Sequence, residues 1–236
     1  MNWQISGVYK KLSILVLMPF FSFAHIAHVN IAAENVLPLS ENNKTPLFLS
    51  HTELPSLDVM QHALQGYQKL LDNKELNVAD VITIIDFTKP SDEKRLWVVD
   101  MVTGEVLFHT LVAHGRNTGA LTAEYFSNKE GSYASSPGFY TTGAMYVGKN
   151  GWSMYLDGKE QGINDNARAR AVVMHGAAYA NEAFVTKYGR LGRSQGCPAI
   201  PEAQALALMQ AIAEGSCLYI HTNKGNYLSQ SSYLRN

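Results

Sequence analysis

Between Val81 and His221 the apolar residues fall into short β-branched and aromatic runs separated by turn residues, a pattern that suits a sheet rather than a helical bundle. Val81–Phe87, Arg95–Asp100 and Glu105–Ala113 come first, with Thr103-Gly104 as the turn between the last two. Gly138–Val147 reads as a further strand or bent pair, and Asn150-Gly151 is a hairpin signal ahead of Trp152–Leu156. Arg170–Met174 is a short apolar strand running into His175, and Cys217–His221 is the last. Helical spacing occurs twice. Leu57, Met60, Leu64, Tyr67 and Leu71 form one amphipathic stripe with Asp58 in its first turn, and Pro201–Ala213 carries Ala, Leu and Met until Gly215 closes it. The fold class is therefore mainly β, with one N-terminal helix and one after Cys197.

The N-terminal residues have a different character. Lys10 and Lys11 precede an apolar run, Leu12 to Ala24, interrupted at Ser13, Pro19 and Ser22. That order reads as a secretory signal over residues 1–24, cut before His25. The run is too short and too broken to span a bilayer, so no stable membrane insertion is expected after cleavage. Residues 25–78 read as a leader containing Pro38, Pro46 and Pro55, followed by the amphipathic helix. With 19 basic against 20 acidic side chains and no basic stripe, nothing in the charge favours nucleic acid as a partner.

The residues that carry chemistry are His175-Gly176 and Ser194-Gln195-Gly196-Cys197. A thiol attacks only as thiolate and needs a base or a positive field nearby. His175, at a strand end, is the candidate base, and 197 − 175 = 22 residues allow strand, loop and return. Gly196 permits close backbone approach to a substrate carbonyl. Pro198 has no N–H, so an oxyanion pocket here would use the amides of Cys197 or Gly196.

Three other readings use the same residues. A Cys197–Cys217 disulfide, permitted in an oxidising compartment, would leave a non-enzymatic binding module. Gly192-Arg193-Ser194-Gln195-Gly196 is a literal G-x-S-x-G, but the stretch before it is polar and Pro198 interrupts the helix that such an elbow needs. His109, His114, His175 and His221 lack the tight spacing of metal ligands, so neither metal nor cofactor is expected.

Val172-Val173-Met174-His175-Gly176 followed by Ser194-Gln195-Gly196-Cys197 resembles the signature of the murein L,D-transpeptidase (YkuD-like) family: an apolar strand ending in His-Gly, then a loop closing on Ser/Thr-x-Gly-Cys. Val112-Ala113-His114-Gly115-Arg116, Ser136-Pro137-Gly138-Phe139-Tyr140 and Gly215-Ser216-Cys217-Leu218-Tyr219-Ile220 resemble further family segments in the same order. The resemblance covers Val81 to His221. It implies an L,D-transpeptidase-like β-sandwich as catalytic domain over 79–224, leaving 225–236 as a tail. Cys-Pro-Ala at 197–199 looks like a divergent branch, because the family usually has Ile or Val and then Arg after the cysteine, and His where Gln195 stands.

By this resemblance the partners are peptidoglycan stem peptides, met in the periplasm or cell wall. Cys197 would attack the carbonyl of the third residue of a tetrapeptide and release the terminal D-alanine. His175 would move the proton, its ring oriented by the carbonyl of Gly176 or a neighbour. Gly196, Gly176 and Ser194 are the positioning candidates. An amine acceptor would give transpeptidation and water would give carboxypeptidase activity; a disulfide-closed chain would only bind the wall. Arg116, Arg190 and Arg193 are candidates to replace the family arginine, and Tyr140, Tyr146 and His114 are candidate lining of the cleft.

Overall fold

The computed structural model describes residues 53–235, so the expected signal segment and most of the leader lie outside the described residues. The elements in chain order are α1 (Leu57–Asp72), β1 (Val81–Asp86), β2 (Leu96–Asp100), β3 (Val106–Thr110), β4 (Gly138–Gly148), β5 (Gly151–Gly158), β6 (Val173–Gly176), α2 (Glu182–Tyr188), β7 (Ala199–Ile200), α3 (Glu202–Ile212), β8 (Cys217–His221) and α4 (Tyr227–Gln230). The strands form one eight-stranded sheet in the order β3-β2-β1-β8-β4-β5-β6-β7. Two neighbouring pairs, β1 with β8 and β6 with β7, run parallel. The chain just after β3 bridges to β7 through Ala113 and Ala199, so the two ends of the order meet and the sheet nearly closes.

Period-two alternation sorts the strands onto two cores. Val81, Ile85, Leu96, Val98, Tyr140, Leu218 and Ile220 pack in one, together with Leu208, Met209 and Ile212 of α3. Ile82, Ile84, Trp97, Val99, Phe139, Cys217 and Tyr219 face the other way, under Val59, Met60, Ala63, Tyr67 and Leu70 of α1. The helix can lie this close because Gly66 has no Cβ: one built there would fall within the Phe139 ring. The Tyr67 hydroxyl donates to the Ala79 carbonyl at 2.7 Å, tying the helix to the chain entering β1.

The expected mainly-β architecture with its two helices is present, and the structure adds to it. Helix α2 buries none of its residues, β7 is two residues long and α4 is four, so none carries a readable apolar period. Strand β6 begins at Val173 and includes His175; Arg170 lies in the turn before it rather than in the strand. Among the described residues no helix is long and apolar enough to cross a membrane.

Two buried polar centres hold the loops. Arg95, fully buried, donates to the Val112 and Lys89 carbonyls and to His114 Nδ1 at 2.9 Å. An arginine cannot accept, so His114 must carry its proton on Nε2, which donates to the Gly119 carbonyl at 3.3 Å. Glu160, also fully buried, accepts from the Phe139 amide, the Tyr227 hydroxyl and the Ser231 hydroxyl, joining the C-terminal residues to β4.

Candidate active site

Parallel pairing of β6 with β7 brings the two distant motifs together. His175 is in register with Ala199, and its amide donates to the Pro198 carbonyl at 3.4 Å, so Cys197 emerges beside the imidazole's strand. Cys197 and His175 line one cleft of about 1110 Å³, together with Lys149, Arg170, Tyr179 and Glu202 among others. The tip of the β4–β5 hairpin supplies Tyr146, Lys149 and Asn150 to its wall, with Tyr146 stacked on Tyr155 at 4.6 Å between centroids.

The Cys197 sulfur is partly exposed and has two polar neighbours. It accepts from the Val173 amide at 3.5 Å, and its S–H donates to the Ala171 carbonyl at 3.7 Å. Burial holds the thiol above its ordinary pKa, opposed by the Val173 amide, the charge of Arg170, the residue's own amide and Lys149. His175 Nδ1 lies 2.9 Å from the Gly176 carbonyl oxygen. A carbonyl only accepts, so Nδ1 carries the proton and Nε2 keeps a free lone pair. Burial pushes the imidazole below its ordinary pKa, against that hydrogen bond, and Lys149 pushes it the same way as burial. The resting pair is therefore neutral thiol and neutral imidazole, and the two are not hydrogen-bonded to each other.

The loop that presents Cys197 is held by serines. Ser194 Oγ donates to the Cys197 carbonyl at 2.6 Å and accepts from the Gly196 amide at 3.0 Å. Ser135 Oγ donates to the Gly196 carbonyl at 3.0 Å and accepts from the Gly115 amide. Gly196 has φ +124°, and a Cβ there would stand 2.8 Å from the Ala134 carbonyl oxygen, so the position needs glycine. Because the Gly196 amide is bonded to Ser194, the Cys197 amide is the one of the two expected donors still available to an oxyanion.

The other expected site residues are dispersed. Gly176, Ser194, Arg193 and Tyr146 line the cleft with the pair. Arg193 is exposed and donates to the Arg116 and Gly119 carbonyls. Arg116 lies outside the lining, with its guanidinium 3.9 Å over the Tyr133 ring. Arg190 donates to the Leu191 carbonyl. Tyr140 is enclosed in the core that includes α3, its hydroxyl donating to the Ser136 carbonyl at 2.9 Å. His114 is 1 % exposed, held by Arg95, and pushed down to about 4 by burial and by that cation. Both cysteines are free, so the Cys197–Cys217 bridge is not formed: Cys217 belongs to the core beneath α1. Sequence reasoning missed Arg170, Lys149 and Ala171. Only the hairpin signal at Asn150-Gly151 pointed toward Lys149, and nothing in the spacing singled out the other two.

Comparison with protein families gives a match over residues 52–221 to the L,D-transpeptidase catalytic domain. The chain belongs to this family. Three solved structures are similar at low identity. An L,D-transpeptidase from Mycobacterium smegmatis shares 14% identity, with a TM-score of 0.38, over 61% of this chain and 59% of that one. The helical cell shape determining protein Pgp2 from Campylobacter jejuni shares 15%, with a TM-score of 0.41, over 70% and 57%. An L,D-transpeptidase from Stackebrandtia nassauensis shares 14%, with a TM-score of 0.38, over 72% and 69%. The chain spans about three fifths of the length of the first structures it matches. Among curated proteins none matches it. Family membership thus rests on the family match over residues 52–221, and this L,D-transpeptidase-family domain carries its Cys and His on one cleft.

Proposed function

We propose that the chain is a cysteine-dependent acyltransferase acting on peptidoglycan stem peptides. The observation that carries this reading is the free Nε2 lone pair of His175 on the same cleft as the Cys197 thiol, in a chain of the L,D-transpeptidase family. With both groups neutral at rest, His175 acts as general base: Nε2 takes the thiol proton as the sulfur attacks the carbonyl of the third stem residue. The Cys197 amide donates to the oxyanion that develops. Collapse of the tetrahedral intermediate returns the proton from His175 to the departing D-alanine amine and leaves a thioester on Cys197. An incoming amine, deprotonated by His175, then resolves the thioester to a new peptide bond. Export of the chain belongs to the same reading, because that substrate lies outside the cytoplasm.

The test is incubation of the protein with muropeptide tetrapeptides, following D-alanine release and cross-linked product together. Both are expected, and both should disappear in Cys197→Ala. D-alanine release without cross-linked product would replace the transferase with a carboxypeptidase. No release of any kind, with the thiol intact, would remove the proposal.

A further inference from the structure

The nucleophile is followed by Pro198 and Ala199, neither of which carries a charge, and the guanidinium of Arg170 approaches its loop beside Gly196. Nη1 donates to the Ser127 carbonyl at 2.8 Å and to Ser136 Oγ at 2.6 Å; Nη2 donates to the Ala134 carbonyl at 2.7 Å and to Ser132 Oγ at 3.1 Å. These bonds use the four N–H groups of the two terminal nitrogens, so the guanidinium is not free to clamp a substrate carboxylate with its fork. A Cβ placed on Gly196, the residue before the nucleophile, would lie 3.4 Å from Nη2. The next residue, Ala171, sits at φ +53°, a left-handed conformation that costs a non-glycine residue of the order of 1 kcal/mol. That turn brings the Ala171 carbonyl and the Val173 amide to the Cys197 sulfur.

We infer that Arg170 is a positioning residue for the nucleophile: clasped by the 127–136 loop, it fixes the left-handed turn that cradles the Cys197 sulfur and supplies the positive charge facing it. The inference rests on the reading of Cys197 as the reactive thiol and adds a role for Arg170. The shifts agree with this placement, since Arg170 lowers the Cys197 pKa and Cys197 raises that of Arg170, each against the larger effect of burial. The other titratable groups lining the cleft with the sulfur are Tyr133, Tyr146, Lys149, His175, Tyr179, Arg193 and Glu202. Of these cations, Lys149 and Arg193 are exposed and screened by water, whereas Arg170 is half-buried and held in place.

The test is the pH dependence of iodoacetamide alkylation of the full chain, which reads thiol ionisation without any peptide substrate. Cys197→Ala serves as the blank, because Cys217 is buried. In Arg170→Gln the alkylation midpoint should rise by about one pH unit, which leaves about tenfold less thiolate near neutrality. Arg170→Lys keeps a charge and should restore more than half of that shift. An unchanged midpoint in the glutamine variant, or a lysine variant shifted as far as glutamine, would overturn the inference. Should glutamine prevent folding, Ser136→Ala removes one clasp acceptor while keeping the cation, and should slow alkylation several-fold; an unchanged rate there would also overturn it. An Arg170-dependent midpoint in a chain without turnover on muropeptides would sink the proposed function and leave this inference standing. Normal turnover with an Arg170-independent midpoint would do the reverse.

Discussion

His175 Nδ1 stands 2.9 Å from the carbonyl oxygen of Gly176, the next residue in the chain. No carboxylate is needed to set the tautomer, because the strand's own backbone does it. The imidazole is left without an anionic partner, which is why burial pulls its pKa down rather than an acid pulling it up.

His175→Ala should lower turnover on tetrapeptide by about 10²- to 10⁴-fold, the range for loss of a general base. The sign of the pH profile follows from the depressed imidazole. Nε2 stays unprotonated to below its ordinary 6.5, so the acid limb of kcat/KM should fall below that value in the wild type. A limb centred above 6.5 in the steady-state profile would contradict it.

Ser194→Ala removes an acceptor from the Gly196 amide and a donor from the Cys197 carbonyl at once. Two buried partners losing their bonds should cost about 2 kcal/mol in urea unfolding and slow turnover about tenfold through loop misplacement. Ser194→Thr keeps the hydroxyl and should recover both.

Ala171 tests the strained turn by itself. Ala171→Gly accommodates φ +53° without cost and should raise Tm slightly with alkylation of Cys197 unchanged. Ala171→Val, β-branched in a left-handed position, should lower Tm and slow alkylation of Cys197 together.

His114 predicts how stability responds to acid. Its folded pKa, about 4, lies below the unfolded value near 6.5. The unfolded chain therefore binds the extra proton first as pH falls. Stability from this group is full above about 6.5 and is lost progressively down to about 4, in total roughly 3 kcal/mol. Urea midpoints measured across that window should fall less steeply in His114→Gln, which can still accept from Arg95.

Glu160→Ala strands three buried donors: the Phe139 amide and the hydroxyls of Tyr227 and Ser231. A loss of about 3 kcal/mol, near 10 °C in Tm, is expected by calorimetry, with alkylation of Cys197 little affected.

Much of the sheet was legible because burial on both faces writes alternate residues into two cores, as Ile82 and Ile84 against Val81 and Ile85 illustrate. Helix α2 was illegible for the opposite reason: it buries nothing, so no apolar stripe marks it. At the site, Cys197 and His175 stand out because their motifs are local. Arg170 does not, since its meaning lies in bonds to residues 34 to 43 positions earlier, which no spacing rule connects. Tyr140 and His114 were expected at the cleft because their segments resemble family segments in the same order. The pleat turns Tyr140 inward, and the buried guanidinium of Arg95 captures His114.

Helix α1 has a chemical consequence beyond packing. By roofing Cys217 it keeps the second thiol of the sequence from resolving a sulfenic acid at Cys197. An oxidant reaching the cleft would therefore carry Cys197 onward to sulfinic acid unless a thiol from another molecule intervened. In an oxidising compartment this protein's working lifetime would depend on an external reductant, while its single accessible thiol would make it a one-label target for thiol reagents.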